Sequence, residues 1–499
     1  MSIRLTVSGP PDAAAQALRK LREIGGAFGQ FSVPRLASFH PSRSRRGCRP
    51  PMFLLSAEEL ATLWHPPTAT GQTPALAAVD SRELAPPTAL PTAGTHPQLA
   101  LLGTTVFRGQ RRHFGLLPDD RLRHLAVLGK TGMGKSTLLH HLLAADIRAG
   151  RGVGLIDPHG DLAEAVLRSV PRHRTNDVVL FDAADADFPI AFNILDCLDP
   201  GQRPLVASGV VAAFKKLYVD SWGPRLEHIL RNALLTLLEV PGTSLVSLLR
   251  LLNDDAYRQS LVNRIDDPVV RSFWEHVFAA WPPKLRIEAV APIQNKVGQF
   301  VSSPIQRHLV GQARGRINLR RVMDEGRVLI VNLSKGRLGE DAATLLGSLL
   351  VTALQLAALS RADQSEDERR DFFLYVDEFQ NFATESFATT LSETRKYQLA
   401  LTLANQYLGQ LQEQTLHALF GNVGTLAVFQ VGVEDAEHLA EQLGGVVEKQ
   451  DLLALPRFRS YVRLLIDGSP SRPFSMQTLR PQAGKHDARR ADIIRRYAR

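Results

Sequence analysis

From about Ala100 onward, short runs of aliphatic and β-branched residues alternate with segments whose apolar positions recur every three or four residues. The runs are His124–Leu128, Gly152–Asp157, Val178–Asp182, Val328–Leu333, Phe372–Asp377, Leu399–Ala404 and Thr425–Gln430. They are nearly continuous in hydrophobicity, as strands buried on both faces are, and helical segments separate most of them. The pattern predicts an α/β fold with a mostly parallel sheet. From about Asp199 to Asn318 the strand signal lapses while helical periods continue, as in Arg225–Leu238 and Leu245–Leu252. This stretch reads as an all-α domain inserted into the α/β core. Further on, Arg459–Ile466, an Asp467-Gly468 turn and Arg472–Leu479 predict a β-hairpin.

Ahead of the core, the pattern predicts a small α+β region: a strand near Ile3–Val7, then a helix over Ala13–Ile24 with Leu18, Leu21 and Ile24 on one face. A basic, proline-containing linker follows over 41–52. Ser56 and Glu59 form a capping box for a short helix, Ser56–Trp64. Residues 66–98 read as irregular connection, and the arginine-rich Gly484–Arg499 as a frayed tail. The resulting division is 1–99, N-terminal region and linker; 100–198, first part of the core; 199–318, insertion; 319–480, second part of the core; 481–499, basic tail.

At 499 residues the chain exceeds a single simple core, and 44% hydrophobic with 22% charged residues is globular, not disordered, composition. The net charge of +9 favours an anionic partner such as nucleic acid or a membrane surface. Met1–Gly9 lacks the apolar segment of a secretory signal, and Cys48 and Cys197 lack metal-ligand spacing, so both read as reduced thiols. Ala342–Ser360 is uncharged and long enough to cross a bilayer. It carries Thr344, Ser348, Thr352 and Gln355 and lies between two core strands, so it is expected to be a buried helix.

The chemistry begins at His124–Thr137, HLAVLGKTGMGKST, where an apolar strand runs into the Gly-x-x-x-x-Gly-Lys-Ser phosphate loop. Gly129, Lys130, Thr131, Gly132, Met133, Gly134, Lys135, Ser136 and Thr137 are the candidate nucleotide-binding residues. The glycines let successive N–H groups turn inward toward phosphates, and the helix that follows adds the positive end of its dipole. Lys135 is placed to reach the β- and γ-phosphates, and the Ser136 hydroxyl to ligate Mg²⁺.

Hydrolysis also needs a carboxylate for the metal and a base that orients water. FFLYVDEFQNF, Phe372–Phe382, supplies both at a strand end: Asp377 for Mg²⁺ and Glu378 for the nucleophile. The adjacent glutamate points to an ATP hydrolase, not a nucleotide kinase. Gly298 stands where a guanine-reading aspartate would follow Asn295-Lys296, and no LSGGQ-type transporter signature occurs. In LALTLANQYLGQL, Leu399–Leu411, Gln406 lies just past a strand and is a candidate γ-phosphate sensor. Asp157, His159 and Asp161 in GVGLIDPHGDL fall near the nucleotide because parallel sheets bind ligands beyond their strands' carboxyl ends. Their individual roles do not follow from the sequence.

In this order the phosphate loop, IDPHGDL, a helical insertion, YVDEFQNF, Arg395-Lys396-Tyr397 and LANQYLGQL resemble the type IV coupling proteins. These are the TraG/TraD-like conjugative DNA-transfer ATPases of the HerA–FtsK class. The resemblance, over roughly 100–480, implies a RecA-like core, ATP and Mg²⁺ as cofactors, and a ring, a hexamer, with single- or double-stranded DNA in its channel, bound with weak sequence specificity. It implies that the insertion meets DNA or relaxosome partners, and that type IV secretion components are further partners. Arg395 matches the family's trans-acting arginine, which reaches the γ-phosphate held by a neighbouring subunit. Gln398 stands where a glycine is usual. Coupling proteins usually carry transmembrane helices, and none is visible here; the reading is a cytoplasmic protein with no span of its own, attached to the inner membrane through partners. Two other readings stay open at this stage. One is a soluble HerA-like translocase in DNA end processing or repair; the other is a nucleotide-gated DNA-binding adaptor with little hydrolysis.

Overall fold

The computed structural model describes residues 14–27, 81–96, 98–196, 199–385, 387–481 and 488–498. The chain divides into two units, Met1–Ala78 and Val79–Arg499. In the first, the helix Ala14–Ala27 is described; it buries none of its residues within that unit. The expected strand Ile3–Val7, the basic linker, the helix Ser56–Trp64 and both cysteines lie outside the described residues.

The second unit is built on an 11-stranded sheet. Its strands are β1 (Ala100–Thr105), β2 (His113–Leu116), β3 (Leu125–Leu128), β4 (Gly152–Asp157), β5 (Val178–Asp182), β6 (Val328–Asn332), β7 (Phe372–Val376), β8 (Leu399–Asn405), β9 (Thr425–Val428) and β10 (Arg459–Arg463). The two-residue strands β11 (Leu465–Ile466) and β12 (Ser469–Pro470) form a separate ribbon, and β13 (Phe474–Thr478) returns to the sheet. The order is β2-β1-β13-β10-β9-β3-β8-β7-β4-β6-β5. From β9 to β5 every pairing is parallel, so the seven runs anticipated above end on one common edge. The other pairings are antiparallel.

The parallel strands are covered on both faces, which explains their unbroken hydrophobicity: every residue of β3, β4, β7 and β8 is buried. Alternation divides β3 between two cores. Leu125 and Val127 join the cluster of Leu138, Leu142 and Val166, while Ala126 and Leu128 join that of Val210, Phe214, Leu346 and Leu350. Between β5 and β6 the described residues hold helices and no strand. Among these are Pro224–Glu239 and Leu245–Asn253, close to the two periods seen in the sequence. The first of the long ones, Arg203–Leu217, packs on Glu340–Leu359. That second helix is apolar and long enough to cross a membrane, yet most of it is buried in this core.

Two features depart from expectation. β1 and β2 form an antiparallel edge that the sequence pattern did not reveal. Within the tail expected to be frayed, the described residues Ala488–Ala498 form a helix seated on Asp161–Ser169 and β5. Ala491 and Ile494, three residues apart, are 1% exposed, while Arg490 donates to the Val170 carbonyl at 2.7 Å and Arg495 pairs with Glu164. The surrounding arginines mask this narrow apolar stripe in any average over the segment.

Candidate active site

The site grows from β3. Beyond Leu128 the backbone turns through Gly129 at φ 153°, and a side chain there would meet the Phe429 Cβ at 2.5 Å. Gly134 repeats the requirement at φ 125°, so only glycine fits either position without strain. The loop is tied down on both sides. Gly129 N–H donates to the Asn405 carbonyl at 3.2 Å, Lys130 N–H to Gln430 at 2.7 Å, and Phe458 N–H to Met133 at 2.7 Å. The helix Lys135–Arg148 starts directly behind it, so its free N–H groups and dipole face the loop.

Lys135 is buried, and its ammonium donates to the Gly129 and Lys130 carbonyls at 2.6 and 3.3 Å. Burial lowers its pKa, opposed by the charges of Glu378 and Asp377. A cation held by two loop carbonyls across a glycine-rich turn is poised to exchange them for phosphate oxygens. The exposed Ser136 hydroxyl lies 3.5 Å from Asp377 Oδ2, bringing together the two residues expected to hold a metal. Thr131 and Gly132 are exposed at the mouth, and Thr137 is half-buried as the third residue of the helix.

Asp377 and Glu378 follow β7. Burial pushes the Asp377 carboxyl up to about 7, with the negative charges of Glu378 and Asp157 adding to the effect. A buried carboxylate among others of its sign is relieved by a divalent cation, so the donor set fits Mg²⁺. Glu378 adopts the left-handed region at φ 48°, which turns it from the strand into the site. Each of its oxygens is held by an amide: Gln406 Nε2 donates to Oε1 at 2.8 Å and Gln380 Nε2 to Oε2 at 2.5 Å. Gln406 therefore meets Glu378 directly. Gln380, inside the YVDEFQNF motif, was not singled out from the sequence. Neither was Asn405, whose buried side-chain amide has no hydrogen-bonding partner among the described residues.

Asp157 resolves one question left by IDPHGDL. It is fully buried, with Oδ1 accepting from His159 N–H at 2.8 Å and Oδ2 from Ala163 N–H at 2.9 Å. It closes the turn and caps the helix Asp161–Ser169, besides adding charge near Asp377. His159 and Asp161 are exposed, and among the described residues no group of three or more His, Cys, Asp or Glu could hold a metal.

Arg395 lies elsewhere. It is exposed in the short helical turn Thr394–Tyr397 that enters β8 from its amino end, across the sheet from the phosphate loop. It borders a cleft of about 550 Å³ with Arg123, Asp119, Asp120 and Asp467. Gln398 takes φ 57°, the left-handed conformation a glycine would supply, so the substitution preserves the turn. It does so at a cost of about 1 kcal/mol.

The family described as Helicase HerA, central domain, matches residues 117–353, and that described as the TraM recognition site of TraD and TraG matches 371–451. Together they take in well over half of the chain and both halves of the site. The chain is a P-loop ATPase whose two matched segments are those of HerA-type and TraG/TraD-type proteins. No curated protein sequence matches it. Solved structures that share the coupling-protein fold include the conjugative coupling protein TrwBΔN70 with sulphate, at 17% identity and TM-score 0.56, covering 81% of this chain and 97% of that one. TrwB in complex with ADP and Mg²⁺ aligns at 16% identity and TM-score 0.55, over 81% and 96%. VirB4 of Thermoanaerobacter pseudethanolicus aligns at 14% identity and TM-score 0.55, over 78% and 98%. At such identities these likenesses establish the fold, a RecA-like P-loop core.

Proposed function

We propose that this ATPase is a ring-forming motor that moves DNA during conjugative transfer. One observation carries the reading: the site is divided between opposite edges of the sheet. Phosphate loop, metal carboxylate and base occupy the carboxyl edge, while Arg395 stands exposed at the amino edge. A single copy cannot bring Arg395 to its own nucleotide, but a neighbour presenting its amino edge can. Such arginines contribute several orders of magnitude in rate, so hydrolysis depends on assembly.

In this scheme ATP lies on the loop with Lys135 at its β- and γ-phosphates. Ser136 and Asp377 would hold Mg²⁺, which would supply positive charge against those phosphates. Glu378, fixed by Gln380 and Gln406, orients and deprotonates the attacking water, and Gln406 relays the presence of the γ-phosphate. The inserted domain, 199–318, and the TraG/TraD-type segment are the surfaces for DNA-processing and secretion partners. TrwB, described as a plasmid coupling protein, and the TraG/TraD match favour this role over end processing. Backbone contacts to DNA are electrostatic, in keeping with the net charge of +9, so affinity falls steeply with salt.

The test is the dependence of turnover on protein concentration. Specific activity that rises as copies assemble supports the divided site, whereas a constant value at all concentrations, with the protein monomeric throughout, rejects it.

A further inference from the structure

We propose that His124 is a positioning residue that holds Arg395 in place for the neighbouring subunit's nucleotide; this rests on the trans reading of Arg395. The sequence pattern puts His124 in a strand, but the strand begins at Leu125, and His124 itself sits at φ 63°. Its ring is 2% exposed and both nitrogens are engaged. Nδ1 lies 3.0 Å from the Leu401 nitrogen, and Nε2 lies 3.1 Å from the Leu391 carbonyl oxygen. An amide N–H only donates and a carbonyl only accepts, so Nδ1 accepts and Nε2 carries the proton.

The register explains the first contact. Leu125 pairs with Thr402, so the ring stands beside β8 where the ladder between β3 and β8 has not yet begun, and satisfies the Leu401 N–H there. The second contact reaches Leu391, near the end of the helix Phe387–Glu393, from which the chain passes directly into Thr394 and Arg395. His124 thus fastens the arginine-bearing turn to the sheet. The four residues Leu125–Leu128 alone separate it from Gly129, so one strand carries the phosphate loop at one end and the tether for Arg395 at the other.

The informative variant is His124→Asn. Asparagine tolerates positive φ, and its carbonyl can accept from Leu401, but its side chain is too short to reach Leu391. It is expected to bind nucleotide with unchanged affinity while kcat falls about tenfold to a hundredfold, the loss typical of a catalytic group displaced by about an ångström. Mixing separates the roles. His124→Asn copies mixed with Glu378→Gln copies regain turnover, because the second supplies a well-placed Arg395 to the first's intact site. His124→Asn mixed with Arg395→Ala stays at or below the level of His124→Asn alone, since neither supplies a well-placed arginine. Recovery in that second mixture, or full turnover by His124→Asn alone, overturns the proposal. Arg395→Ala mixed with Glu378→Gln is the control. If it fails to recover, the trans reading itself falls and takes this inference with it. If it recovers while His124→Asn with Glu378→Gln does not, only the role of His124 is rejected.

Discussion

Gln406 and Glu378 follow different strands, β8 and β7, and meet where the Gln406 amide donates to Glu378 Oε1 at 2.8 Å. Strands β7 and β8 are adjacent in the sheet, so any shift of one carboxyl end against the other is felt at this hydrogen bond. The candidate base is therefore coupled to the candidate sensor. Gln406→Ala should bind ATP as wild type does and hydrolyse it about tenfold to a hundredfold more slowly. Equilibrium binding beside steady-state turnover checks the split; a matching loss of affinity would count against it.

Lys135 and Glu378 should fail in opposite ways. Lys135→Ala removes the cation that replaces loop carbonyls with phosphate and should abolish ATP binding. Glu378→Gln keeps the cradle intact and should trap ATP unhydrolysed. Retention of labelled ATP through a desalting column distinguishes them.

The structure gives Asp157 a mechanical role, because its two oxygens accept from His159 and Ala163 N–H groups. Asp157→Ala leaves both donors orphaned, at about 1–3 kcal/mol each where the backbone is buried. A lower Tm than wild type, in the absence of nucleotide, is the expected reading.

Acid sensitivity should trace in part to His124. Burial, with the Arg395 charge adding to it, lowers its pKa to about 4 from an ordinary 6.5, against a partial opposing effect of the Leu391 hydrogen bond. The unfolded chain then binds more protons than the folded one between these values, so stability is full above about pH 6.5 and is lost as pH falls through about 4. The linkage amounts to on the order of 3 kcal/mol. His124→Asn should narrow the difference in Tm between pH 7.5 and 4.5; an unchanged difference would rule this group out as a cause.

The parallel half of the sheet and the phosphate loop were legible because local pattern and tertiary role agree there. A strand buried on both faces must be apolar throughout, and a phosphate cradle must have glycines at fixed spacing. What escaped depended on distant partners. β1 and β2 join the main sheet only through the pairing of β1 with β13, more than three hundred residues later, which no local period records. Gln380 lay within a motif already in view, but its contact with Glu378 needs the left-handed turn at that residue. His124 looked like the first residue of a strand, and only the register with β8 shows it as a tether. The terminal helix was hidden because two small apolar positions suffice once a groove is available.

The measurement to make is ATP turnover by the purified protein, with and without single- and double-stranded DNA, at low and moderate salt. A DNA-dependent motor predicts turnover that DNA stimulates, that weakens as salt rises, and that disappears in Glu378→Gln. Nucleotide binding without turnover on either DNA, or turnover indifferent to DNA and unchanged in Glu378→Gln, would contradict it.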